Sequence, residues 1–179
     1  MITIEPCCVN KHWKQVLKEL EMKKTVLVNG YGDMTLTELL PEVLLRYSEA
    51  DVLMALPTVP EQMRTLVGRM LRRTWALERG GNVNMVGRLR LITDARTSKS
   101  PGLVEWAQGQ ERLRLANAQH NDTLIVVQNG NPQGEGALTI MGPVNMVPCG
   151  QWTAMVTRDP VLLAELKAEL VVRFEAFML

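Results

Sequence analysis

The sequence predicts an α/β protein with a mixed, largely parallel central sheet and helices on both of its faces. Three observations carry that expectation. Strand-like and helix-like stretches alternate through the first half of the chain, and two apolar runs separated by a Gly-rich turn form a hairpin in the second half. No internal repeat, low-complexity tract or linker divides the chain. Such alternation calls for right-handed crossovers that set strands side by side and pack helices above and below them. The 179 residues suit a single α/β domain over 25–179, preceded by an N-terminal leader helix within 1–24.

The elements follow in order. Trp13, Val16, Leu17 and Leu20 make one apolar stripe, so a helix is expected over 12–22, with Lys23 and Lys24 at the negative end of its dipole. Residues 25–29 are rich in β-branched side chains and read as a strand. Thr35-Leu36-Thr37-Glu38 has the capping-box pattern and opens a helix to about Ser48, with Pro41 in an early turn or at a kink. The continuous apolar run Val52 to Leu56 predicts a strand buried on both faces. Met63, Leu66, Val67, Met70, Leu71 and Trp75 form the buried stripe of a helix over 61–77. Strands are expected over 87–93, 112–116 and 152–156, with a short helix over 103–108. Asp159 and Pro160 suit the N-cap and first position of a last helix over 161–177.

Composition narrows the class. The chain is 46% hydrophobic and 22% charged, which is ordinary for a globular protein. Only 4% is aromatic, so aliphatic residues and the 11 Met must fill the core. No apolar run approaches the ~20 residues that span a bilayer, and the first residues lack the apolar stretch of a secretory signal. Three Cys argue against a disulfide framework and fit a reducing, cytoplasmic setting. Cys7, Cys8, His12 and Cys149 lack zinc-ligand spacing, so no metal and no cofactor are expected.

The net charge of +1 hides an uneven distribution. Residues 64–99 carry +7, while the segments before and after carry −3 each. Arg64, Arg69, Arg72, Arg73, Arg96 and Lys99 in that block are candidates for gripping nucleic-acid or other phosphates. Little aromatic interleaving accompanies them, and a solvated helix face is the plainer reading. The segment 29–33, with Gly30 and Gly32 between a strand and a helix, lacks the third Gly of a dinucleotide fingerprint and the Lys of a P-loop, and reads as a tight turn.

The most informative stretch runs from Ala118 to Asn145. A polar segment, Gln119 to Thr123, leads into Leu124-Ile125-Val126-Val127; a Gly-rich turn and a second apolar run, 137–141, precede Gly142-Pro143-Val144-Asn145. This order resembles the signature of the phospholipase D superfamily, H-x-K-x-x-x-x-D, a hairpin, then G-S-x-N. The likeness extends over nearly the whole chain, including the basic helix before the signature and the closing Asp-Pro helix. The resemblance implies an α/β phosphodiesterase scaffold. In that family a His attacks phosphorus, a Lys and an Asn hold phosphate oxygens, and a second motif copy protonates the leaving group. Single-copy members therefore pair as homodimers.

The catalytic letters diverge from that pattern. With His120 as nucleophile, Asp122 stands for the Lys and Val127 for the Asp; with the apolar run as the spacer, Asn121, Thr123 and Gln128 take the three positions. Either register lacks the phosphate-binding Lys, and an Asp beside that position repels a phosphodiester. Gly142 and Asn145 match the second element, with Pro143 in place of Ser. His120 reads as a polar residue at the start of a strand, because a catalytic His needs an orienting partner that the sequence does not supply. His12 has no partner motif either.

Three functions are consistent with these residues. The first is a catalytically degenerate phospholipase D-like domain that binds a partner or self-associates. The second is an active phosphodiesterase or nuclease using His120 and Asn145, with Arg96 or Arg114 in place of the Lys. The third is a nucleic-acid-binding module built on the 64–99 block. The sequence names no protein partner.

Overall fold

The computed structural model describes residues 2–3, 9–31, 35–44, 47, 49–72, 86–96, 101–129, 137–142 and 151–179. Eight strands form one sheet: β1 (Ile2–Thr3), β2 (Thr25–Tyr31), β3 (Ala50–Ala55), β4 (Val86–Thr93), β5 (Leu113–Asn117), β6 (Thr123–Gln128), β7 (Ala137–Gly142) and β8 (Gln151–Thr157). Their order across the sheet is β1-β2-β8-β7-β6-β3-β4-β5. The described helices are α1 (Val9–Glu19), α2 (Leu36–Leu44), α3 (Glu61–Met70), α4 (Leu103–Gln108) and α5 (Pro160–Phe177).

The expectation of a largely parallel sheet needs correction. Pairings β1–β2, β3–β4 and β4–β5 are parallel, whereas β2–β8, β8–β7, β7–β6 and β6–β3 are antiparallel. Only β6 and β8 run against the rest. They sit in the middle of the sheet, so each contributes two antiparallel pairings. The cause is the hairpin β6–β7, which continues into β8 as a run of three mutually antiparallel strands set between β2 and β3. Strand direction is largely parallel, and strand pairing is mixed.

Helices cover both faces, as the alternation requires. On the first face, α1 to α4 pack on Val26, Val28, Val52, Met54, Leu89, Leu91, Ile125 and Val127 in one continuous core. Trp13, Val16, Leu17 and Leu20 of α1 belong to that same core, so the N-terminal helix is packed on the sheet. β1, which has no sequence signal, adds a two-residue parallel edge to β2. On the second face, Leu163, Leu170 and Phe174 of α5 meet Leu53, Ala55, Ile92, Ala116 and Val126. Val52 through Leu56 are all buried, alternate residues serving opposite faces.

Local signals act as the side chains dictate. Asp159 caps α5 by accepting from the Val161 amide at 3.0 Å, and Pro160 takes the first helical position. Pro41 lies inside α2. The Thr35 hydroxyl meets the Thr37 hydroxyl at 2.8 Å at the start of α2. α3 follows the expected stripe to Met70; the expected continuation past residue 72 lies outside the described residues.

Candidate functional site at the head of the hairpin

The head of β6 is where the sequence places its chemistry. β6 begins at Thr123, which pairs with Gly142 at the end of β7. β4 and β5 are parallel and end at the same side, with Thr93 opposite Asn117 and the Ala95 amide bonded to the Asn117 side chain at 2.9 Å. His120 and Arg96 therefore come to one end of the sheet. In open α/β sheets this end, beyond the carboxyl ends of the parallel strands, is where ligands bind.

His120 has a partner that the sequence reading missed. The Arg173 guanidinium of α5 lies 2.9 Å from His120 Nδ1 and also donates to the Gln119 carbonyl. A guanidinium can only donate, so Nδ1 must accept, and the proton of the neutral ring sits on Nε2. Neither nitrogen then offers a free lone pair for attack on phosphorus. Burial lowers the His120 pKa from its ordinary value and the Arg173 charge lowers it further, outweighing Asp122 and Glu169, which raise it. A signal existed: Arg173 stands four residues before the end of a helix that closes on the sheet. Nothing local in the sequence shows which loop it reaches.

The remaining candidates are distributed. Gly142 has φ 126°, and a Cβ there would lie 2.7 Å from the Thr153 carbonyl oxygen, so β7 needs glycine for its close approach to β8. That packing demand accounts for the retained Gly without catalysis. Asn145 and Pro143 lie outside the described residues, as do Arg73, Lys99, Cys7, Cys8 and Cys149. Arg64 is turned toward the protein, with Nε 3.3 Å from the Val59 carbonyl and Nη1 3.0 Å from that of Pro101. Arg69, Arg72 and Arg96 are exposed. Arg114 sits near the start of β5, at the far end from His120, beside a cavity of ≈ 200 Å³ between α4, β5 and Leu179. Among the described residues no group of three His, Cys, Asp or Glu could hold a metal, and no helix is long and apolar enough to cross a membrane.

A second polar cluster lies at the other end of β6. Gln128, Asp51 and Arg88 form one rung across β6, β3 and β4. Arg88 donates to both Asp51 oxygens, at 3.2 and 2.7 Å, and Arg90 reaches both at 3.3 Å. Lys167 of α5 lies 3.6 Å from Asp51 and donates to the Gln128 amide oxygen. Burial pushes the Asp51 carboxyl up, but the hydrogen bonds from Arg88 and the charges of Arg90, Arg88 and Lys167 outweigh it and hold the group below its ordinary value. The same hydrogen bonds raise the Arg88 pKa. This cluster too was missed by the sequence reading. Its signal was an Asp opening an otherwise apolar strand and an Arg-x-Arg alternation in the next one.

No protein-family model matches the sequence, and no curated protein matches it. Solved structures do share the fold. Nuc from Salmonella typhimurium, a phospholipase D family member, matches with TM-score 0.50 and 14% identity over 84% of this chain and 95% of its own. NucT from Helicobacter pylori matches with TM-score 0.53 and 9% identity over 86% and 98%. TrmBL2, an archaeal chromatin protein with a novel mode of DNA binding, matches with TM-score 0.51 and 11% identity over 94% of this chain. The chain spans 61% of the length of TrmBL2. These structures share the fold that the order of elements around the hairpin implied, that of a phospholipase D family member such as Nuc.

Proposed function

We propose that this chain is a phospholipase D-like domain without phosphodiesterase chemistry, acting as a self-associating binding protein in a reducing compartment. The observation that carries the reading is the Arg173 contact on His120 Nδ1. It leaves the ring in the tautomer that cannot attack through either nitrogen. The cation that should hold a phosphate oxygen is absent from both registers of the motif, where Asp122 or Thr123 stands instead. Arg173 does not replace it, since its guanidinium is engaged with His120 and the Gln119 carbonyl.

The test is direct. Purified protein is incubated with bis(p-nitrophenyl) phosphate and with single- and double-stranded DNA. The expected result is no turnover above buffer, with no change in His120→Ala. Turnover that disappears in His120→Ala would establish the active-enzyme alternative. Self-association is read by light scattering: a mass of twice 20.1 kDa supports it, and 20.1 kDa counts against it.

Exposed Arg69, Arg72 and Arg96 favour nucleic acid as the bound partner, by the phosphate contacts that basic surfaces make. TrmBL2, which binds DNA and of whose length this chain spans 61%, supports that choice. Binding to DNA should weaken steeply with salt, and Arg69→Ala combined with Arg72→Ala should reduce it. Affinity indifferent to salt and to both substitutions would point to a protein partner.

A further inference from the structure

We infer that the cluster of Arg88, Arg90 and Lys167 around Asp51 is a binding site for a phosphate-type dianion, separate from His120, in which the Asp51 carboxylate occupies the anion position when no ligand is bound. Among the described residues, three cations converge on one carboxylate, at 2.7, 3.3 and 3.6 Å. These four side chains together carry a net charge of +2. Glu49, two residues before Asp51 and beside Gly87, is exposed and makes no ion pair among the described residues. Partly buried like charges repel with little screening, so an excess of this kind is relieved by a bound anion of matching charge.

The exposures are graded as a site requires. The Arg90 side chain is 10% exposed and forms the floor, Asp51 is at 17% and Lys167 at 29%, and Arg88 at 56% forms an open rim. Arg90 Nε is buried with no hydrogen-bond partner, a charged donor left unused beneath the cluster. Its guanidinium lies 6.0 Å from the Phe174 ring centroid, which limits its freedom to turn toward water. The planar forks of two arginines suit a tetrahedral oxyanion, which accepts paired N–H bonds. Two surplus charges match hydrogen phosphate or a phosphomonoester better than a phosphodiester, which carries one. The inference does not depend on whether His120 is catalytic, since the two sites lie at opposite ends of β6.

Thermal unfolding of the full chain is followed with inorganic phosphate against sodium chloride at matched ionic strength. Phosphate at ten times its dissociation constant should raise Tm by about 3–6 °C over chloride. Lys167→Met and Arg88→Gln should each weaken the fitted phosphate affinity at least several-fold relative to their own ligand-free baselines. Asp51→Asn should lower the ligand-free Tm yet bind phosphate more tightly, because the internal competitor is gone. A purely structural role for the cluster predicts no such opposition. A short oligonucleotide without terminal phosphate serves as the diester arm and should not displace phosphate from this site. Equal Tm in phosphate and chloride would overturn the inference. So would an unchanged phosphate affinity in both Lys167→Met and Arg88→Gln, or binding of the oligonucleotide alone.

Discussion

The two faces of the sheet are filled by different chemistry. Beneath α1 to α4 the core is almost wholly aliphatic, with Val, Leu, Ile and Met at full burial around Trp13. Beneath α5 the described residues form a small apolar cluster, and around it lie Arg90, Asp51 and Lys167 at one end of β6 and His120 with Arg173 at the other. One face is packed almost wholly with apolar side chains; the other carries the charged clusters. Among the described residues α5 alone covers the second face, and it supplies a cation at each end of β6.

This contrast can be broken at its strongest point first. Ile125 is fully buried on the first face, at the centre of β6. Ile125→Ala should destabilise by about 2–5 kcal/mol, since deletion leaves a cavity that a close-packed core cannot refill. Urea unfolding checks this, and a loss well below 1 kcal/mol would mean that the first face is not the rigid one.

On the second face the largest single effect should come from Asp51→Ala. Removing the carboxylate leaves Arg90 buried without its counter-charge; the cost is about 1–3 kcal/mol, discounted because Arg88 is exposed and screened. A neutral result in the same unfolding measurement would mean that the three cations are individually hydrated. Asp159→Ala removes the cap of the covering helix and should cost about 1 kcal/mol. Loss of far-UV helix signal without a change in the first-face core would localise the effect to α5.

The smallest effects are in pH dependence, and two of them fall on the second face. His120 has a folded pKa below its ordinary value of 6.5, so the fold favours the neutral ring. That contribution is full above pH 6.5 and is lost as pH falls through the folded pKa. Asp51 is likewise depressed below 3.8; its contribution is present above that value and is lost as pH falls further. Arg173→Ala removes one of the two lowering influences on His120, so its ring should titrate at higher pH by NMR. An unchanged titration would show that the Arg173 contact does not form in solution.

Much of the fold was legible because its signals are local. The buried run Val52 to Leu56, the helix over 103–108, the hairpin of β6 and β7 and the Asp159-Pro160 cap all depend on residues adjacent in sequence or on one period. Pairing was less legible. The alternation indicated strand direction, but the insertion of the hairpin between β2 and β3 leaves no mark on any one segment. The two-residue strand β1 is too short for any period to reveal.

The chain by itself determined most of the elements, the two-faced burial of Val52 to Leu56 and the absence of a lysine from either register of the motif, because side-chain type and spacing are covalent facts. Only the tertiary structure decided that Arg173 meets His120 across 53 positions and that Arg88, Arg90 and Lys167 converge on Asp51. The physical reason is that charge acts through space. Which cation faces which anion depends on strand register and on where a helix crosses the sheet, and no local pattern encodes either.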